Sequence, residues 1–414
     1  MLSHLILVIL LYSFFTKFIF LLFGFLSIFS PKLKNFLLIR ESDLERARKI
    51  EKFSGKLIWL HAASVGELDQ CKAIARVILA NEKNTKLIQS VFSDSVTDKQ
   101  LEDPMYFFTF RLPLDSNNAY DDYFEIFQPK MLIISAWDTW YFLLKKAKQK
   151  GVKTILANST LGENSGRRNF FIRNFTKKVF ESIDIISCVS KDLIPIFSEL
   201  APNSKIVSLG DSRFDSVIEK IESRKNLEMF LPNHQKVFIL ASTYIECEKI
   251  FIPVLKKILD LGYSIWIFPH KVHESRINEI STMLKNQSLD FTLYSSKTNS
   301  KIILFDKLGV LAYAYEKAEI CYVGGGLHNR VHNVMEGAYF GLPIFTGEKV
   351  HHSFEAIELK TRAGLFTFKT TSEFWEKFQT IDESERIKIS KINKEFISNN
   401  RGASERLYQA FLKD

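Results

Sequence analysis

The chain has 414 residues, 46% hydrophobic and 25% charged, enough for two or three domains with well-buried cores. Its net charge of +9 is mild and diffuse, which fits a membrane surface or a phosphorylated ligand and argues against nucleic acid as a partner. The four cysteines, Cys71, Cys188, Cys247 and Cys321, lie far apart with no CxxC pair, so they read as buried thiols of a reducing compartment.

The first thirty residues stand apart. Leu5 to Phe29 is nearly all apolar, with Lys17 as its only charge. A bilayer span needs about 20 apolar residues, and this segment has the length. A Lys at mid-helix costs about 2.5–3.5 kcal/mol on insertion scales, which the surrounding Leu, Ile and Phe offset. No small-residue cleavage site follows, which argues against a removable signal peptide. Lys32, Lys34 and Arg40 come next and assign the remainder to the cytoplasmic side. The expectation is a single-pass anchor over residues 1–30. The alternative is a helix lying in the interface, with Lys17 snorkelling to water.

From Lys56 onward, apolar β-rich runs alternate with helical runs. Strands are expected at Leu57–Ala63, Lys86–Phe92, Phe107–Leu112, Met131–Ala136, Lys153–Asn158, Asp184–Ser190 and Lys205–Leu209. Continuous apolar strands are those of a sheet covered on both faces. A charged, poorly patterned stretch at 219–234 reads as a linker. A second series follows at Val237–Ala241, Ser264–Phe268, Phe291–Tyr294, Lys301–Phe305, Ile320–Val323 and Pro343–Phe345. The predicted architecture is α/β: two Rossmann-like doubly wound domains, 31–218 and 235–382, facing a cleft. Helices at 383–414 are expected to pack near the linker.

Three strand-to-helix turns carry the candidate chemistry. The first is Trp59 to Glu67, the second Ile239 to Thr243, and the third Tyr322-Val323-Gly324-Gly325-Gly326 followed by His332-Asn333-Val334-Met335-Glu336. Three successive glycines let backbone approach a ligand, and N–H groups with a helix N-terminus favour an anion. Ser64 with Glu67, Thr243 with Glu246 and Asn333 with Glu336 also fit capping boxes, the purely structural alternative. Sugar transfer needs a base for the acceptor hydroxyl and groups that stabilise a departing phosphate. Glu67 fits the base; Ser242, Thr243 and Gly324–Gly326 fit the phosphate; Glu336 fits a hydroxyl of the nucleotide.

Taken together, these motifs resemble the bacterial Kdo transferases, which attach 3-deoxy-D-manno-octulosonic acid to the lipid A precursor. The specific parts are Trp59–Glu67 (W-x-H-x-x-S-x-G-E), Gly210–Asp215, Ser242-Thr243, Asp306 with Gly309 (D-x-x-G), His332–Glu336 (H-N-x-x-E) and Gly341–Leu359 with Phe354-Glu355-Ala356. The resemblance implies a GT-B fold, an inner-membrane anchor, CMP-Kdo as donor, a lipid A-type acceptor, inversion by direct displacement, and no metal or other cofactor. It implies Glu67 as base and Glu336 in the nucleotide site. Acceptor contacts are then expected from His61, Ser64, Gly66, Asp138, Arg167, Arg168 and Arg213. Donor contacts are expected from Ser242, Thr243, Pro269, His270, Lys271, Asp306, Gly309, Gly324, Gly325, Gly326, His332, Asn333 and Glu336.

This chain departs from the family pattern in three places. The acidic E-T-E-L-W-P-N segment is here Ala136 to Phe142, with only Asp138 and Trp140 in keeping. P-R-H is here Pro269-His270-Lys271, which loses a planar Arg donor. In the Ser242–Glu248 stretch, Tyr244 stands for a His and Cys247 for a Glu. Arg167, Arg168, Arg173, Lys177 and Lys178 form a basic cluster, suited to lipid phosphates or to a solvated helix face. His328, His332, His351 and His352 fit no common metal motif. Two further readings stay open: another nucleotide sugar with another glycolipid, or an inactive relative that binds lipid or a partner protein.

Overall fold

The computed structural model describes residues 2–161, 165–223, 230–298 and 300–413; the centre of the expected linker, 224–229, lies outside them. The chain forms two compact units: residues 1–216 together with 401–414, and residues 217–400.

The first unit holds a parallel sheet of seven strands: β1 (Lys56–Ala62), β2 (Thr85–Val91), β3 (Phe108–Arg111), β4 (Met131–Ser135), β5 (Lys153–Ser159), β6 (Ile185–Cys188) and β7 (Lys205–Ser208). Their order is β3-β2-β1-β4-β5-β6-β7, so the winding reverses between β1 and β4. Period-2 alternation along β1 sends Leu57 and Trp59 to one face, among Phe110, Tyr123, Phe124 and Phe142. It sends Ile58, Leu60 and Ala62 to the other, against Leu68, Cys71, Ile74 and Ile78 of the helix Val65–Asn81.

The second unit holds β8 (Val237–Thr243), β9 (Ser264–Pro269), β10 (Thr292–Leu293), β11 (Ile302–Leu304), β12 (Ile320–Val323), β13 (Ile344–Gly347) and β14 (Leu365–Phe368). The order is β10-β11-β9-β8-β12-β13-β14, again all parallel, with its reversal between β8 and β12. β14 has no counterpart among the expected strands. Its four residues, Leu-Phe-Thr-Phe, are too few to show a period. All four cysteines are free and buried.

The run expected as one terminal unit at 383–414 is divided. The helix Glu383–Asn400 belongs to the second unit, where Asn393 Nδ2 donates to Leu342 O and Gly364 O at 2.7 and 3.1 Å. Beyond it the chain returns to the first unit. Asp215 accepts from Gly402 N–H and, at 2.7 Å, from Ser404 N–H, so it caps the helix Ala403–Leu407. Leu407, Tyr408, Phe411 and Leu412 then join the cluster under β1.

At the other end, the helix Leu2–Leu26 includes a stretch, Val8–Leu26, long and apolar enough to cross a membrane. The helix Pro31–Arg48 follows, and here one expectation changes. Lys32 and Lys34 are exposed, but Arg40 is buried. Its guanidinium donates to Phe36 O, Phe92 O and Leu112 O at 2.7–2.9 Å and lies 3.3 Å from the Phe36 ring centroid. Arg40 is therefore an internal clamp and not a topological charge. Burial pulls its pKa down to about 10.

Candidate functional site

In the first unit His61, Ser64, Gly66, Glu67 and Asp138 lie at the carboxyl ends of β1 and β4, where the winding reverses. His61 is completely buried. Its Nδ1 lies 2.8 Å from Ser90 Oγ and its Nε2 lies 3.0 Å from Asp138 Oδ2. Trp59 Nε1 donates to the same Ser90 hydroxyl, and Trp140 Nε1 donates to Asp138 at 3.1 Å. His61 cannot meet a ligand directly; it positions Asp138, whose side chain keeps 16% exposure.

Arg167 does not point into open solvent as part of a basic cluster. It donates to Thr139 Oγ1 at 2.8 Å and to Trp137 O at 2.7 Å, and lies over the Trp137 ring. It braces the same 136–142 segment, with burial lowering its pKa. Arg173 pairs with Glu199 and Lys178 with Glu181, so the cluster is largely spent on its own helices. Arg168 closes the short turn Gly166–Arg168.

At the first turn the capping alternative is present. Glu67 accepts from Ser64 N–H at 3.0 Å and from the Ser64 hydroxyl. Gly66 is exposed, and Glu67 is half-buried. Arg213 folds onto Asp211, with Nε at 2.8 Å and Nη2 at 2.7 Å from Oδ2. Asp211 belongs to a buried polar chain that sequence reasoning missed. Gln70 Nε2 donates to Asp211 at 2.9 Å, Ser135 Oγ to Gln70 at 2.7 Å, Asn158 Nδ2 to Ser135 at 3.1 Å, and Ser212 Oγ to Asn158 Oδ1 at 2.9 Å. The motif Gly210–Asp215 thus ties β4, β5 and the helix Val65–Asn81 together.

The second unit is arranged differently. A cavity of about 380 Å³ opens at the carboxyl ends of β8, β9, β11 and β12. Ser242, Pro269, His270, Gly309, His332, Asn333 and Glu336 line it. Ligands of open α/β sheets bind at such a reversal point. Ser242 gets there through a register shift between Ala241 and Thr243 and a φ of 51°. Glu336 is buried on the cavity wall with Lys220 Nζ 3.1 Å away. Asn333 Oδ1 accepts from Met335 N–H at 3.0 Å, so this turn forms no Asn333–Glu336 capping box, and Glu336 is left for the cavity.

Three groups of expected donor residues lie elsewhere. Thr243 is buried and donates to Glu248 Oε1 at 2.6 Å, beside the Glu248–Arg276 ion pair. The helix there begins at Ile245 with Tyr244 as cap, so Glu246 is free to meet His328 at 3.2 Å. Lys271 is exposed and off the cavity wall, whereas its neighbour His270 is on it. Asp306 Oδ1 accepts from Ser295 N–H at 2.9 Å.

Gly324, Gly325 and Gly326 are buried and face protein. A Cβ on Gly324 would sit 2.0 Å from Ser242 O, one on Gly325 2.1 Å from Arg330 O, and one on Gly326 2.6 Å from Gly347 O. Gly324 N–H already donates to Ala241 O at 2.8 Å. The glycines make room for a closed loop that presents His332 and Asn333.

Two charged cavity residues were not expected. Lys220 falls in the stretch read as a linker, and Lys307 sits inside the D-x-x-G loop. The latter position was a legible signal; the former was not. Tyr244, at the position of the family's His, stacks with His270 (4.7 Å), His328 (4.9 Å) and His332 (5.6 Å). Its Oη is 2.9 Å from His332 Nε2. Burial, with His270 and Arg330 nearby, lowers the His332 pKa to about 4; burial and Lys271 lower that of His270. Among the described residues no group of three or more His, Cys, Asp or Glu side chains is placed to hold a metal.

Residues 38–216 match the family model of the 3-deoxy-D-manno-octulosonic-acid transferase N-terminal domain. The 3-deoxy-D-manno-octulosonic acid transferase of Chlamydia muridarum is 25% identical over 322 residues, covering 74% of each chain. Over its first unit the chain is similar to the Kdo transferases. A bifunctional glycosyltransferase/methyltransferase of Fusobacterium nucleatum is 26% identical over 83% of this chain, which spans 55% of that longer protein. In fold, the two Rossmann-like units are of the GT-B class. The UDP-GlcNAc 2-epimerase of Neisseria meningitidis aligns with a TM-score of 0.64 at 14% identity, over 87% of this chain and all of the other.

Proposed function

We propose that this Kdo transferase relative moves Kdo, or a related acidic sugar, from a CMP donor to a lipid A-type acceptor at the cytoplasmic face of the inner membrane. One observation carries the reading. Motif residues from four separate chain segments, Ser242, Pro269-His270, Gly309 and His332 to Glu336, converge on one cavity at the reversal point of the second sheet.

The donor nucleotide occupies that cavity. Ser242 and Lys307 meet the phosphate, and Glu336 accepts from ribose hydroxyls. In the first unit Glu67 takes the proton of the acceptor hydroxyl while that oxygen forms its bond to the anomeric carbon. The bond from that carbon to the phosphate oxygen breaks, and its electron pair leaves with CMP. Asp138, held by His61 and Trp140, orients the acceptor. No step calls on a metal.

Purified full-length protein, a lipid A precursor and CMP-Kdo generated in place provide the test, with products read by mass. CMP is expected to raise the melting temperature while UDP and GDP do not. Stabilisation by UDP alone, with transfer from a UDP-sugar, would replace this donor assignment with the other nucleotide-sugar reading.

A further inference from the structure

The N-terminal helix is held to the first unit along one face. Ile9 and Tyr12 pack against the core of the first unit. The Tyr12 ring lies 4.9–6.0 Å from those of Phe175, Phe142 and Tyr141, and its hydroxyl donates to Asp115 Oδ2 at 2.7 Å. Asp115 is 3% exposed and accepts three more bonds, from Tyr120 Oη, Phe142 N–H and Leu143 N–H at 2.8–3.2 Å. Further along, Phe23 meets Phe36 edge-on at 6.0 Å. At about 1.5 Å per residue, the contacts from Ile9 to Phe23 run over about 21 Å of helix.

A hydrocarbon core is about 30 Å thick. If this helix crossed it, Tyr12 would lie near the midplane. Asp115 and the loops around it would then be immersed in lipid, where unsatisfied polar backbone is excluded. The opposite helix face explains what the segment meets instead. Leu10, Leu11, Phe14, Phe15, Phe18, Leu21, Leu22 and Phe25 are exposed at spacings of three and four, which is one stripe, with Phe20 exposed off it. Lys17 is exposed at its edge, and Lys32 and Lys34 are exposed just beyond.

We infer that the helix Leu2–Leu26 is an in-plane anchor: its Leu/Phe stripe enters one leaflet of an anionic bilayer while Tyr12 and Asp115 clamp its inner face to the first unit. The stripe supplies apolar area, and Lys17, Lys32 and Lys34 meet anionic headgroups. Both ends of the chain then lie on the same side. Asp115 also holds the first turn of the helix Tyr141–Gln149, which follows Asp138 and Trp140. The clamp therefore sets the height of the acceptor segment above the leaflet. The orientation stands whatever sugar is transferred.

Two measurements on the full chain test this. A cysteine placed before Leu2 and another after Asp414 are probed in intact spheroplasts with a membrane-impermeant maleimide. Neither is expected to react until the membrane is opened; reaction of the N-terminal one in intact cells would establish a crossing and overturn the proposal. Bimane attached at Leu11→Cys, Phe18→Cys or Phe25→Cys is then quenched on phosphatidylglycerol–phosphatidylethanolamine vesicles carrying nitroxides at set depths. All three are expected at one shallow depth. A gradient with residue 18 deepest would overturn the proposal, and so would a chain that ignores the vesicles and pairs with a second copy through this face.

Discussion

Asn158 and Ser242 invite comparison. Each is a polar residue at the carboxyl end of a parallel strand, each lies at a shift of register, and each has a positive φ, 55° and 51°. The first unit spends its residue internally: Asn158 is buried and bonded to Ser135 and Ser212. The second unit leaves Ser242 on a cavity wall. One backbone device therefore serves as a structural knot in one sheet and as a cavity-lining group in the other. Position at a strand end identifies candidates; what the side chain already touches decides between them.

That contrast can be broken by mutation. The largest effect is expected for Gly324→Ala, whose Cβ would meet the Ser242 carbonyl. A loss of at least about 3 kcal/mol in urea unfolding is expected; a near-wild-type midpoint would show that the loop has slack. Glu67→Ala is expected to lower kcat by about 100-fold or more at a stability cost of only about 1 kcal/mol from the lost cap. Glu67→Gln, which keeps an acceptor for Ser64, separates the two: kcat stays low if the carboxylate is the base and recovers if only the cap matters. His61→Ala leaves Asp138 and Ser90 short of a partner at a buried site, at about 2 kcal/mol. Glu336→Gln is expected to weaken CMP binding by about tenfold, read by calorimetry, with little change in melting temperature.

The smallest effect concerns pH. His332 has a folded pKa of about 4, below the ordinary histidine value. As pH falls through about 6.5, the unfolded chain takes up a proton that the folded chain refuses, so stability declines toward pH 4. About 1 kcal/mol at pH 5 is expected after allowing for solvent screening. His332→Gln should flatten that slope; an unchanged slope would assign it to other groups.

Much of the architecture is legible because it is local. Buried parallel strands announce themselves as apolar runs, and thirteen of the fourteen appear at the expected places, Leu365–Phe368 being the exception. The site is less legible because its members are chosen by packing over long range. Triple glycine in a row gives no hint that Arg330 and Gly347 fill the space beside it. Nothing near Arg40 in sequence announces its acceptors at Phe92 and Leu112. Tyr12 and Asp115 lie 103 positions apart, and neither stands out alone.

The return of the chain to its first unit has a consequence for biosynthesis. Residues 403–412 cover the underside of β1, yet they leave the ribosome only after all of residues 217–400. The first unit stays unfinished throughout translation of the second, with Ile58, Leu60 and the helix beside them awaiting their last neighbours. A nascent chain halted near residue 400 would expose that seam to chaperones and proteases until residues 403–412 dock on it.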